Sequence, residues 1–144
     1  MGRWLRLQIG GNMAITWKYK IDIVDVNVFK EIESERGILF PEELKKFILE
    51  ANAATPSEYN FMVGNSERVM GAILSFNRDE ADTDSAFVAL NVISDKNLIP
   101  FAIDPFGNYI CYNLDEQEIV FWDHESDTVI STGKTLEGFL EELY

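Results

Sequence analysis

The sequence is poor in the residues that build metal sites and disulfides. Its 144 residues include one cysteine, Cys111, and one histidine, His124. A single cysteine excludes an internal disulfide, and one cysteine with one histidine far along the chain cannot supply a zinc site. Cys111 lies inside an apolar run, so we expect a small buried hydrophobic residue. No cofactor and no metal are expected.

Motifs of catalysis and of membrane insertion are also missing. No apolar run approaches the length needed to span a bilayer, and the first residues are too short and too broken for a signal peptide. There is neither a phosphate-cradling glycine loop nor a nucleophile elbow. We therefore expect a cytoplasmic protein that is not an enzyme.

Positive charge is scarce and unevenly placed. The chain has 12 Lys and Arg against 25 Asp and Glu, a net charge of −13. Residues 61–144 carry sixteen acidic and only four basic residues. Such a field repels nucleic acid and anionic membranes, whereas it attracts and steers a basic protein. The acidity either serves a basic protein partner or serves solubility alone.

The stretch from Leu98 to Glu125 predicts three short antiparallel strands. Turn residues at 105–108 and at 115–118 separate apolar runs that are too short for helices. A meander of this kind needs a cover for its apolar side. The chain is therefore expected to be α+β, an antiparallel sheet meander packed against N-terminal and C-terminal helices.

Two helices are predicted before the meander. The first runs from about 26 to 36, with Asp25 or Asn27 as its N-cap and Gly37 at its end. The second begins at Pro41 and ends at Asn52. Its apolar residues recur at i, i+3, i+4 and i+7, which indicates one buried face: Leu44, Phe47, Ile48 and Ala51.

The other segments complete one domain over residues 13–144. Strands are expected at 59–63, 68–76 and 128–131, with Gly71 at a bulge or a close backbone approach, and an edge strand or an extended arm is expected at 15–24. A short helix at 85–93, capped by Thr83 or Asp84, would bury Phe87, Val88 and Leu90. Thr135 is expected to cap a final helix. Residues 1–12, which precede Met13, are expected to be a non-native or disordered extension.

Three acidic segments are the candidate contacts for a protein partner. The 77–84 loop superficially suggests calcium, but the EF-hand spacing fails at Ala86, so we expect a solvated loop. The turn at 115–118 and the strand end at 123–125 are the other two. Together they supply the candidate partner-binding residues Asp79, Asp82, Asp84, Asp115, Glu116, Glu118, Asp123 and Glu125.

Asp123, His124 and Glu125 also allow a metal or acid–base cluster. Neighbours on a strand point to opposite faces, so the two carboxylates would lie away from His124. Asp104 beside Asp115 or Asp123 could mimic the carboxylate pair of a glycosidase. Carboxylates are so abundant here that such pairs arise by coincidence, and polar groups that satisfy nearby backbone are the simpler interpretation.

The order of motifs resembles the SUKH superfamily, in the branch named for the yeast regulator of cell-wall glucan synthesis. Trp17-Lys18 precedes the first helix, and the segment Leu39 to Ile48 is similar to the start of the second. Ile99 to Cys111, Val120 to Glu125 and Leu136 to Leu143 are similar to the central hairpin, the next strand and the last helix. The resemblance is carried by ten residues, and it implies that their role is mainly structural. They are Trp17, Pro41, Phe47, Asn52, Pro100, Phe101, Asp104, Gly107, Trp122 and His124.

The resemblance implies a binding module without enzymatic activity. Most bacterial members look like immunity proteins, each of which neutralises a cognate toxin, often a nuclease, by direct contact. An acidic inhibitor suits a basic nuclease. The alternative is a scaffold or regulator of cell-wall synthesis or signalling, as in the yeast relative. The oligomeric state is left open.

The chain departs from the family pattern at two places. Relatives usually have Asn-Gly-Gly after the second helix, where this sequence has Asn52-Ala53-Ala54. Because alanine disfavours a positive φ, the turn is expected to be built differently. Phe40 stands before Pro41 where leucine is typical, a mild change in the core.

Overall fold

The computed structural model describes residues 5–9, 13–78 and 84–144. Ten strands and four helices form within this part of the chain. In order they are β1 (Leu5–Ile9), β2 (Met13–Lys18), α1 (Val28–Arg36), α2 (Glu42–Ala51), β3 (Thr55–Pro56), β4 (Asn60–Val63), β5 (Ser66–Val69), β6 (Ala72–Ile73), α3 (Ala86–Val92), β7 (Leu98–Ile103), β8 (Tyr109–Asn113), β9 (Glu118–Asp123), β10 (Thr128–Lys134) and α4 (Leu136–Glu141).

The predicted meander is the centre of a five-stranded sheet in the order β10-β9-β8-β7-β6, antiparallel throughout. Strands β7, β8 and β9 lie where the turn residues predict them. The register shifts between Pro100 and Ala102 in β7 and between Ser131 and Lys134 in β10. The α+β class and the meander with helices before and after it are confirmed.

Helix α2 covers one face of this sheet. Its four spaced apolar residues are all buried. The Phe47 ring contacts the Trp17 ring at 5.3 Å and the Phe101 ring at 6.2 Å between centroids, both edge-on. On the same sheet, Phe61 of β4 lies between Phe121 of β9 and Phe139 of α4. The core is therefore an aromatic layer shared by the sheet and the helices on either side of it in sequence.

The single strand expected at 68–76 is in fact two strands, β5 and β6. The break lies at Gly71, whose amide donates to the carbonyl of Ile103 at 2.8 Å. A Cβ added at Gly71 would lie 3.0 Å from that same oxygen, so a side chain would force the backbones apart. Gly71 is thus the predicted close backbone approach. Where an edge strand or an extended arm is expected at 15–24, the strand ends early, at Lys18.

Two helix caps differ from the predictions. Ser85, and neither Thr83 nor Asp84, is the N-cap of α3, because its hydroxyl accepts from the amide of Phe87 at 3.1 Å. Asn27 is the N-cap residue of α1, one of the two predicted, but its side chain makes no cap hydrogen bond. Val88 was expected inside the core and is 57% exposed. Thr135 caps α4 and Gly37 ends α1 as predicted.

Residues near the start of the chain include a strand. Leu5–Ile9 pairs antiparallel with β2. That residues 1–12 are a non-native or disordered extension, and that 13–144 form a single domain, stay predictions. The longest helix, α2, has ten residues, and within the described ranges no helix is long and apolar enough to cross a membrane.

Two buried asparagines hold the irregular segment 19–25 against the rest of the fold. The Asn52 amide donates to the carbonyl of Ile21 at 2.9 Å and accepts from the amide of Phe76 at 2.8 Å. Asn77 donates to the carbonyl of Asp22 and accepts from the amide of Val24, both at 2.9 Å. Each side chain offers one donor and one acceptor, as a neighbouring strand would.

The turn after α2 contains a left-handed residue although it lacks glycine. Ala53 has φ 62°, and its neighbour Ala54 is fully buried. That the turn is built differently from the Asn-Gly-Gly turn of relatives stays a prediction. Asn52 fixes the turn from both sides, so the chain tolerates an alanine at a cost of about 1–2 kcal/mol.

Replacing Ala53 by glycine should stabilise the protein. The strain of a left-handed alanine disappears, and we expect a gain of about 1 kcal/mol in the free energy of unfolding by urea. Ala54→Gly is the matched control: it empties a buried site without a positive φ and should destabilise. Equal changes in the free energy of unfolding for the two substitutions would contradict the claim that Ala53 is strained.

Cys111 should resist alkylation in the folded state. It is fully buried, and burial raises the pKa of its thiol well above the usual range, so both access and thiolate are lacking. If modification requires global opening, iodoacetamide at pH 8 should react at least about a thousandfold more slowly than in urea. Comparable rates in the two conditions would show that the strand opens locally.

Candidate protein-binding surface

The β8–β9 turn carries one of the three acidic segments. Asp115 and Glu116 are exposed, while Glu118 begins β9 and is partly buried. The amide of Asp115 donates to Asn113 Oδ1 at 3.0 Å, which closes the turn. Gln117 takes a φ of 53° there. The carboxylates of this turn therefore project from one end of the sheet.

The second acidic segment lies at the other end of β9. Asp123 accepts from the amide of Glu125 at 2.9 Å, and Glu125 itself is exposed. A third carboxylate that the sequence analysis did not single out belongs here: Asp127 accepts from Trp122 Nε1 at 2.8 Å. It has φ 52°, so the hairpin turn itself places it. Its signal in the sequence is the turn-like Ser-Asp pair before β10.

The two segments cannot contact the same small patch of a partner. Asn113 pairs with Glu118 at one end of the β8–β9 ladder, and Tyr109 pairs with Trp122 at the other. With a rise of about 3.4 Å per residue, Glu118 and Asp123 lie about 17 Å apart along β9. The predicted candidate residues therefore fall into two groups.

Asp84, of the third segment, lies just beyond β6, at the edge of the sheet opposite β10, where its carbonyl accepts from the amide of Ser75 at 2.7 Å. Tyr109 stacks on Trp122 with ring centroids 5.8 Å apart. Burial raises the pKa of Tyr109, and the nearby charge of Asp84 raises that pKa further. We define the acidic end as Asp123, Glu125 and Asp127. Asp79 and Asp82 lie outside the described residues.

Asp104 and His124 belong to one hydrogen-bonded network that joins two turns. The Asp104 carboxylate is buried and accepts from the amides of Phe106 and Asn108 and from Asn108 Nδ2, at 2.8–2.9 Å. Asn108 Oδ1 in turn accepts from the amide of His124 at 3.0 Å and contacts its Nδ1 at 2.7 Å. Because Oδ1 only accepts, Nδ1 is the donor.

This network ties the polar side chains of Asp104 and Asn108 to backbone amides. The Asp104 carboxylate accepts three hydrogen bonds, all of them from residues of its own turn. Across the described ranges, no group of three or more His, Cys, Asp or Glu side chains could hold a metal ion.

The other motif residues lie in the core or at the turns. Trp17, Phe47, Asn52, Phe101 and Trp122 are buried, and Pro100 lies at the β7 bulge. Pro41 is the residue before α2. Gly107 has φ 88°, with the His124 ring 3.8 Å from the position a Cβ would take. These positions are consistent with the structural role that the resemblance implies.

Phe106 is an exposed aromatic residue beside the acidic end. It lies in the β7–β8 turn and is 73% exposed. Asn108, two residues on, bonds to His124. Exposed aromatics ringed by polar groups are typical anchors of protein interfaces. The sequence pattern predicts only a turn at this residue.

A cavity of about 440 Å³ lies between the start of α1 and the segment 76–78. Arg78 borders it, paired with Glu31 at 2.8 Å and lying over the Phe87 ring at 4.1 Å. The guanidinium of Arg78 therefore already has a carboxylate partner and an aromatic partner. The cavity was not predicted, because residues far apart in sequence form it.

The comparisons with known proteins agree with the resemblance. The model of the SMI1 / KNR4 family (SUKH-1) matches residues 24–142. The SPbeta prophage-derived uncharacterized protein YokK of Bacillus subtilis (strain 168) is 43% identical over 47 residues. This alignment covers 31% of the chain and 24% of that protein, so the chain spans about a quarter of this curated relative's length.

Removing the Asp104 carboxylate should destabilise the protein. Asp104→Ala leaves three donors unpaired in a buried turn, so we expect a loss of about 2–4 kcal/mol in the free energy of unfolding. Asp115→Ala, at an exposed turn, should cost less than about 0.5 kcal/mol. Urea titrations of both variants measure the difference, and similar losses would contradict the proposed role of the network.

Proposed function

Because the chain belongs to the SMI1 / KNR4 family (SUKH-1), we propose that it is a non-enzymatic, cytoplasmic immunity protein that binds and neutralises a cognate toxin domain. The observation that carries this proposal is the family match, which extends over almost the whole of the described fold from α1 onward. The prophage origin of the Bacillus relative also fits a gene used in competition between bacteria.

The charge of the surface favours a basic partner. The chain carries a net charge of −13, and carboxylates project from both ends of the central sheet. Nuclease domains are commonly basic because they hold phosphates. An acidic inhibitor can occupy such a surface, and its field accelerates the encounter.

We assign the contact to the acidic end in preference to the β8–β9 turn. The acidic end has three carboxylates, and the exposed ring of Phe106 lies beside it. An apolar anchor within a charged rim is the arrangement that gives both affinity and steering. The β8–β9 turn offers charge without an exposed aromatic residue among its four residues.

The alternative is an intracellular scaffold or regulator of cell-wall synthesis or signalling. The same family match supports it. The two functions differ in the partner: an immunity protein has one toxin-like ligand, whereas a scaffold has several housekeeping ligands.

Capture from the native cell separates these two functions. The full chain, carrying an affinity tag, is used to isolate its partners, and the protein encoded by the neighbouring gene is co-expressed with it in a growth assay. We expect a single basic domain to be captured and its toxicity to be relieved by the full chain. A set of housekeeping proteins, or toxicity that persists, would overturn the immunity function.

Charge reversal at the acidic end should slow association with the captured domain. Glu125→Lys is the cleanest change, because Glu125 is exposed and its amide, not its carboxylate, bonds to Asp123. Removing one steering charge and adding its opposite should reduce the association rate about three- to tenfold at low salt, with little effect on dissociation. Stopped-flow fluorescence at two salt concentrations measures both rates.

Two further variants locate the contact. Glu116→Lys changes the same charge at the opposite end of the sheet, and Glu50→Lys changes it on the exposed side of α2. We expect smaller effects from both. If Glu116→Lys slows association more than Glu125→Lys does, the partner binds the β8–β9 end and the assignment to the acidic end is wrong.

A further inference from the structure

Strand β10 leaves one of its two edges open. It is the last strand in the order β10-β9-β8-β7-β6, and within the described ranges its ladder hydrogen bonds go to β9 alone. Successive residues of a strand alternate in the direction of their amides, so about half of the backbone groups of Thr128–Ser131 point away from the sheet. These four residues are all exposed.

The edge also lacks the usual protection against strand addition. Natural edge strands carry lysine, proline or a bulge that prevents pairing with another chain. Residues 128–133 contain neither a charged residue nor a proline, and the bulge falls after Ser131. Val129 and Ile130, on opposite faces, are 46% and 39% exposed. Both faces therefore offer β-branched side chains to an added strand.

The opposite edge of the same sheet is closed by the chain itself. Beside β6, the amide of Ile73 donates to the carbonyl of Ala54 at 2.8 Å. Just beyond it, the amide of Ser75 donates to the carbonyl of Asp84 at 2.7 Å. One edge of the sheet is thus covered by neighbouring segments while the other is left available.

We propose that β10 is the strand to which the partner adds an extended segment, with basic residues beside Glu125 and Asp127. This rests on the proposed function and names how the partner binds. Main-chain hydrogen bonds to β10 supply the affinity, and the carboxylates of the acidic end select a segment that ends in lysine or arginine. A second copy of this chain is disfavoured, because each carries a charge of −13.

The test uses a synthetic peptide in place of the partner. Its sequence is Lys-Lys-Thr-Val-Thr-Val-Thr-Lys-Lys, and its two controls carry glutamate for lysine or N-methyl groups on the five central amides. The readout is residue-resolved amide hydrogen exchange of the full chain at low salt. When peptide occupies four fifths of the sites, the outward amides of 128–131 should exchange about fivefold more slowly. Those of the Gly64–Asn65 turn should not change.

A pair of lysine variants locates the site. Ile130→Lys introduces edge protection and should abolish the protection by peptide, whereas Val88→Lys adds the same charge to α3 at a similarly exposed position and should not. The proposal would be overturned if the peptide gave no protection, if it protected amides outside β10, or if it still protected Ile130→Lys. It would also be overturned if the glutamate peptide or the N-methyl peptide bound equally well.

Protection of the β10 amides that rises with protein concentration, without peptide, would also overturn it, in favour of pairing between copies of the chain. The peptide experiment does not use the toxin. Strand addition can therefore fail while the capture and charge-reversal experiments still support an immunity protein. Conversely, the peptide can add to β10 while those experiments contradict the immunity function.

Discussion

The side-chain amide of Asn52 is bonded at once to Ile21, before the first helix, and to Phe76, after the last strand of the N-terminal half. The side-chain amide of Asn52 is buried, so losing either bond would leave a polar group unpaired and would cost its full desolvation free energy. Together, Asn52 and Asn77 hold the segment 19–25, which has no strand ladder of its own. The entry to α1, the end of α2 and the approach to β7 are positioned through these two residues.

This fixed frame decides where the acidic residues project. The meander places one carboxylate turn at each end, so a chain that is acidic along its sequence becomes a molecule with two separate acidic surfaces. They differ in their neighbours. One lies beside an exposed phenylalanine and an open strand edge, and the other lies beside neither. The difference arises from hairpin topology and not from the number of charges.

The local elements were predictable, and the long-range ones were not. Pro105 and Gly107, the carboxylate-rich turn at 115–118 and the apolar spacing of α2 each carry their signal within a few residues. The role of Gly71 depends on Ile103, and that of Asn77 on Asp22, 55 residues away. The Arg78 cavity was missed for the same reason. Local patterns give the elements, while the site depends on which elements the fold brings together.

The bonds from Asp104 through Asn108 to His124 fasten one hairpin turn to the next. Phe106 and Glu125 are thereby carried on a single rigid unit, although eighteen positions of the chain separate them. A partner that contacts both loses little conformational entropy in ordering them, since the folding reaction has already supplied that order. Rigid docking, with geometry similar in the free and bound states, is the mode of recognition that such a unit favours.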